Sequence, residues 1–100
     1  MSQTVIYNFP ATIFSSSNSI HNQLCHVISE ADEIRRAIAD DEGTERIDEE
    51  VADLFHSLET LLRIMQRDLG TEYVEKLFAK IKKKNQARGY YTEKEKRNNQ

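Results

Sequence analysis

Glu30 to Glu33 reads EADE, and after a gap of sixteen residues Glu50 to Asp53 reads EVAD. Acids three positions apart share one side of a helix. Two such pairs on neighbouring helices could act as one site, because carboxylate oxygens suit hard divalent cations such as Mg²⁺ or Mn²⁺. Mg²⁺ is usually held by a few carboxylates while it keeps several waters and contacts substrate phosphates. Without a cation the clustered acids raise one another's pKa. Spacing alone leaves two readings open: a metal–phosphate site, and the solvated flanks of two amphipathic helices. Asp and Glu make up 17 of the 100 residues, so from spacing alone the solvated flank weighs more.

The elements that must position these acids are all helical. Ile20, Leu24, Val27, Ile28, Ala31, Ile34 and Ile38 form a helical stripe that predicts a first long helix from Asn18 to Ala39, with Ser17, Asn18 and Ser19 as candidate N-caps. ADDEGTER breaks it at Gly43. A second stripe, from Ile47 through Val51, Leu54, Phe55, Leu58, Leu61, Leu62 and Met65 to Leu69, predicts a helix over 45–69, with Thr44 as cap and Gly70 as stop. A third helix is expected over 71–87, carrying Tyr73, Val74, Leu77, Phe78 and Ile81 on one side and ending before Gly89. Residues 1–17 read as an irregular arm around Pro10, rich in Ser and Asn, whose apolar residues must pack on a helix or a partner subunit. Residues 92–100 read as a charged flexible tail, leaving a helical domain over 18–91. No strand pattern or fixed-length repeat appears, so the fold class is all-α.

At about 100° per residue, and with each stripe's mean direction as zero, Glu30 lies roughly 90° and Glu33 roughly 150° to one side. Glu50 and Asp53 lie roughly 80° and 140° to the same side of their own stripe. Helices joined by a short turn pack antiparallel, so the four acids are expected to converge at the rim of the seam.

Bulk properties bound the alternatives. One hundred residues predict one domain. A net charge of −3 with 31% charged residues argues against whole-chain electrostatic binding to nucleic acid. A single Cys excludes an intrachain disulfide and predicts a reducing compartment. The first residues lack the basic flank and long apolar run of a secretory signal, and no apolar run approaches a membrane span. A cytoplasmic protein is expected.

With these residues in view, Glu30-x-x-Glu33 and Glu50-x-x-Asp53, set in ISEADEIRRAI and RIDEEVADLFHSLETLL and followed by KKKNQARGYY, resemble the signature of the MazG-like all-α nucleotide pyrophosphohydrolases. That superfamily includes dimeric dUTPases, a dCTPase and phosphoribosyl-ATP pyrophosphatases, and the resemblance spans about residues 20–91. It implies a helical bundle in which the two motif helices face each other and Glu30, Glu33, Glu50 and Asp53 hold Mg²⁺, with Mn²⁺ as a substitute, against a nucleoside triphosphate. Water then attacks the α-phosphorus and releases pyrophosphate and a monophosphate, with Glu33 as the candidate for polarising that water. Lys82, Asn85 and Arg88 recur every third position and share a face. By the family pattern they are the candidate substrate-binding residues, with Lys83 as the alternative phase and Tyr90 or Tyr91 available to stack on a base or a partner. Against this stands the ordinary preference of a helix C-terminus for cations. Asp32 and Glu49 are extra acids that leave the register between Glu49 and Glu50 open. Larger family members begin with a helix that reads the base, whereas this chain has a short Ser-rich arm.

Other residues carry plainer readings. His26, four before Glu30, reads as a rim residue able to contact that acid. Asp53-x-x-His56 touches on the Glu-x-x-His pattern of di-iron bundles, which needs two copies, and the phasing turns His56 away from the seam. Cys25 reads as a small packing residue. There is no glycine-rich phosphate loop. Three helices close only a modest core, so a homodimer or a dimer of dimers is expected, with a four-helix core built from two chains. The competing function class is a helical interaction or regulatory module of the same fold without activity. The base preference stays open among general NTPs and dNTPs, dUTP or dCTP, and phosphoribosyl-ATP.

Overall fold

The computed structural model describes residues 4–94. Among the described residues the long elements and the turn before them are α1 (Phe14–Ser17), α2 (Ile20–Ala39), α3 (Thr44–Leu69) and α4 (Thr71–Ala87), in that order. No strand occurs among the described residues. The three long helices lie where the apolar periodicity predicts them, within two residues at each end. The single turn α1, inside the predicted arm, is an addition. Residues 95–100 of the predicted 92–100 tail lie outside the described residues.

Local chemistry explains the ends. Of the three candidate caps, Ser19 starts α2, its side chain accepting from the Asn22 N–H at 3.0 Å. At the other end Asp41 adopts a left-handed φ of 52°. This lets Asp41 N–H reach the Ile38 carbonyl at 3.2 Å and Glu42 N–H reach the Ala37 carbonyl at 3.1 Å, the two-bond pattern of a Schellman motif. Thr44 falls inside α3, and Gly43, at φ 95° and ψ 156°, occupies the cap position instead. Gly70 alone joins α3 to α4, at φ 98° and ψ 149°, a region open essentially to glycine.

α2 and α3 form an antiparallel hairpin, and α4 folds back on α3. Among the described residues the fully buried apolar side chains are few: Val27, Ala37, Ile64 and Val74. Polar groups share the α2–α3 seam. Buried Gln23 donates through Nε2 to the Ser57 carbonyl at 3.0 Å and accepts from Asn18 Nδ2 at 3.0 Å. Much of each apolar stripe stays open, including Leu24, Ile28, Ile38, Val51, Phe55 and Leu58. Cys25, expected to pack, is exposed, 3.8 Å from His21 Nε2 one turn earlier.

The arm packs on its own chain's α3. Tyr7 OH donates to Gln66 Oε1 at 2.6 Å, and the Asn8 and Phe9 N–H groups both donate to Glu59 at 2.8 Å. Arg63 donates to the Phe9 carbonyl at 3.0 Å, and Arg67 donates to the carbonyls of Ser15 and Asn18.

Candidate functional site

Three of the four predicted acids converge. Glu30 from α2 and Glu50 and Asp53 from α3 each offer a carboxylate oxygen within 4.8 Å of the others. The α2–α3 register does this: Gln23 faces Ser57, and two helical turns along, Glu30 faces Glu50. Glu33 is exposed and outside that trio, but its carboxyl lies close enough to Glu50 to act on that group's ionisation.

Glu50 is only 3% exposed, which differs from the expected rim position. The seam is offset from the centre of the apolar stripe toward its polar edge, so an acid about 80° off the stripe lands inside the contact. Arg46 binds one Glu50 oxygen at 2.8 Å, while the other oxygen is buried without a hydrogen-bond partner. The neighbouring Glu33 carboxyl, then burial, with the Glu30 carboxylate adding to them, push the Glu50 carboxyl above its ordinary range, and Arg46 only partly offsets them. A buried oxygen left unpaired beside two further carboxylates is a donor set that fits a divalent cation.

The neighbouring acids separate cleanly. Asp32 is held by Arg35 and Arg36, each at 2.7 Å, and its carboxyl lies below the usual range because Arg35 donates to it. Glu49 is exposed and lies outside the trio. The acid brought to Glu30 is therefore Glu50.

A cavity opens beside Glu30 and Asp53, walled by Thr12 and Phe14 of the arm, by Gln23 and His26 of α2, and by His56 of α3. His26 Nε2 lies 3.1 Å from Glu30 Oε1 while more than half its side chain is exposed, as a rim residue should. His56, which the phasing turned away from the seam, instead lines this cavity. Phe9 stacks on its ring, with centroids 4.4 Å apart and planes at 17°. The offset seam again explains the difference. His56 Nε2 and Thr12 Oγ1 are both buried there without partners.

The basic end of α4 lies elsewhere. No α4 residue lines this cavity. Lys82 sits on a shallow groove with Leu77, Phe78, Ile81 and Tyr91, and the Arg88 guanidinium lies 4.8 Å from the centre of the Tyr90 ring. Asn85 is half-buried, its carbonyl accepting from the Tyr90 N–H at 3.0 Å.

Sequence reasoning missed Gln23, Thr12 and Glu59. Glu59 and Arg63, one helical turn apart inside an apolar run, were the available signal.

Residues 18–90 match the MazG nucleotide pyrophosphohydrolase domain family. No curated protein and no solved structure matches the chain.

Proposed function

Because the chain belongs to the MazG nucleotide pyrophosphohydrolase domain family, we propose that it hydrolyses a nucleoside triphosphate, an NTP or dNTP, to the monophosphate and pyrophosphate. The observation that carries this reading is the convergence of Glu30, Glu50 and Asp53 around a buried, unpaired Glu50 oxygen. Glu30, Glu50 and Asp53, joined by Glu33 at their edge, would hold Mg²⁺, with Mn²⁺ as a substitute. When bound, the ion supplies charge neutralisation on the phosphate oxygens.

The chain's own residues supply the rest. Glu33 is exposed beside Glu50, so it can accept a proton from water at the mouth of the site. That water's oxygen bonds to the α-phosphorus, the bond from phosphorus to the α–β bridging oxygen breaks, and pyrophosphate leaves with the electron pair. Gln23 locks the helix register that keeps the acids together, and Arg46 holds Glu50 in place in the absence of an ion.

Lys82, Asn85 and Arg88 bind phosphate oxygens in this reading, reaching the acids from a second copy of the chain. Two observations support a homodimer or a dimer of dimers. Large apolar side chains along α2 and α3 are exposed, Ile28 at 60% and Phe55 at 48% among them. The cavity beside the acids measures 260 Å³, under the roughly 300–1,000 Å³ usual for small-molecule sites, so one chain encloses too little of a nucleotide. No helix among the described residues is long and apolar enough to cross a membrane, and the exposed free thiol of Cys25 suits a cytoplasmic location.

A panel of NTPs and dNTPs with Mg²⁺, scored for pyrophosphate against orthophosphate, tests the reaction. Pyrophosphate with matching monophosphate is expected. Absence of turnover on every member would sink the reading, as would release of orthophosphate alone.

A further inference from the structure

The arm has no ladder of its own, yet its backbone is gripped tightly at one place. Glu59 of α3 is 5% exposed. Its Oε2 accepts from the Asn8 N–H at 2.8 Å and from Asn8 Nδ2 at 3.0 Å, and its Oε1 accepts from the Phe9 N–H at 2.8 Å. Two consecutive backbone donors thus converge on one carboxylate. Arg63, one turn along, donates to the Phe9 carbonyl at 3.0 Å and lies 4.0 Å from the centre of the Tyr7 ring. Both main-chain polar groups of Phe9 are therefore held by α3 side chains. Burial pushes the Glu59 carboxyl up, but the Asn8 and Phe9 donors, with Arg63 nearby, outweigh it and hold the group below its ordinary range. Charged hydrogen bonds of this kind are the strong ones.

The grip has a target. With its backbone fixed, Phe9 lies flat on His56, and three residues later Thr12 enters the wall of the same cavity. His56 Nε2 and Thr12 Oγ1, on two residues of that wall, are buried without hydrogen-bond partners. Buried polar groups are normally satisfied, so these two are the groups in this wall that the uncharged, hydrogen-bonding part of a ligand would satisfy, once its anionic part is held to the acids through a divalent cation.

The geometry points to Glu59 as a positioning residue: by gripping the arm at Asn8 and Phe9 it sets His56 and Thr12 in the wall of the cavity beside Glu30 and Asp53. Glu59 touches no ligand and acts through the arm. The nucleotide nature of that ligand rests on the function proposed above, while the positioning itself does not.

Two full-length variants test it. Glu59→Gln weakens the grip and keeps the side-chain shape. Phe9→Ala keeps the grip and removes the ring that lies on His56, and its place on the arm leaves the helix hairpin intact. Far-UV circular dichroism checks folding. The stack places the His56 ring protons under the Phe9 ring, so their NMR resonances should move downfield in both variants. With a nucleotide substrate, both variants should raise KM about tenfold, the scale of one or two lost buried hydrogen bonds, and leave kcat within about twofold. A merely structural Glu59 would lower the amount of folded protein without that split. Wild-type His56 resonances matching those of Phe9→Ala would overturn the proposal, and so would an unchanged KM in both folded variants. If wild type turns over no nucleotide, the enzymatic reading falls and the His56 resonances alone decide the positioning role.

Discussion

Gln23 Nε2 on α2 donates to the main-chain carbonyl of Ser57 on α3 at 3.0 Å, two helical turns from where Glu30 meets Glu50. A long polar side chain that ends on the neighbour's backbone fixes both the rotation and the axial register of the pair. An apolar contact of the same size would tolerate sliding. The acids converge because this bond and the capped turn at Asp40–Glu42 leave the hairpin one alignment.

Replacing Gln23 with Leu removes that bond and leaves Asn18 Nδ2 without its partner. The variant should lose about 0.5–1.5 kcal/mol, the usual net worth of an intramolecular hydrogen bond. It should also show a smaller rise in melting temperature on adding Mg²⁺. Urea denaturation gives the first quantity, and a midpoint equal to wild type would show that the bond does not set the register.

Mg²⁺ should stabilise wild type by mass action, since ligands that bind only the folded state raise its stability. Glu50→Gln removes one charge from the cluster, so the variant without metal should melt at or above the wild-type temperature. Its response to millimolar Mg²⁺ should be largely lost, together with turnover. A thermal melt with and without Mg²⁺ checks this, and a Glu50→Gln response equal to wild type would count against the site.

Glu59 makes stability depend on pH. Its folded-state pKa is lowered, so the unfolded chain binds the proton more readily. The stabilisation is fully present above the ordinary glutamate pKa of about 4.3 and is lost as pH falls through the depressed folded value. Wild type should therefore exceed Glu59→Gln in stability at pH 7, and the gap should narrow as pH drops below about 4. Denaturation midpoints measured across that range give the curve, and a gap independent of pH would mean that the carboxylate charge is irrelevant to the arm.

Gly70→Ala isolates a backbone effect. A Cβ there would meet no heavy atom within 4 Å, so the cost comes from φ 98° and ψ 149° alone. About 1–3 kcal/mol of destabilisation is expected, the range for a residue held in a sparsely populated conformation. Equal thermal stability of the variant and wild type would contradict this.

If α4 of one copy serves the acids of another, mixing copies carrying Glu50→Gln with copies carrying Lys82→Ala should restore activity. In a symmetric dimer about a quarter of the wild-type rate is expected after random exchange, since half the dimers are mixed and each has one intact site. Persistent inactivity of the mixture, with exchange verified by mass, would place both groups within one chain's site.

The long helices were legible because apolar periodicity, Gly43 and Gly70 mark them without tertiary information. The convergence of Glu30, Glu50 and Asp53 was legible from spacing and resemblance together. The true direction of the seam was not. The stripes predict Leu58 and Phe55 as core, yet both are exposed, whereas Glu50, Ser57, Thr60 and Ile64 are buried against the rest of the chain. A stripe records the sum of all the surfaces a helix must cover. A chain that leaves part of its apolar face open therefore has a stripe centre that no neighbour within the chain occupies. Glu59 escaped notice for a related reason: its partners are main-chain N–H groups of an irregular arm, and backbone donors leave no mark in a sequence.

The single-residue joint at Gly70 makes α4 a lever. Its 17 residues give an arm of about 25 Å at 1.5 Å per residue. A hinge rotation of only about 10° at Gly70 would then sweep the far end, where Lys84 and Arg88 stand, through about 4 Å, close to one helical rise of three residues. Small angular play at one glycine is thus magnified into a displacement comparable to the width of a phosphate group, while the acids on α2 and α3 stay still.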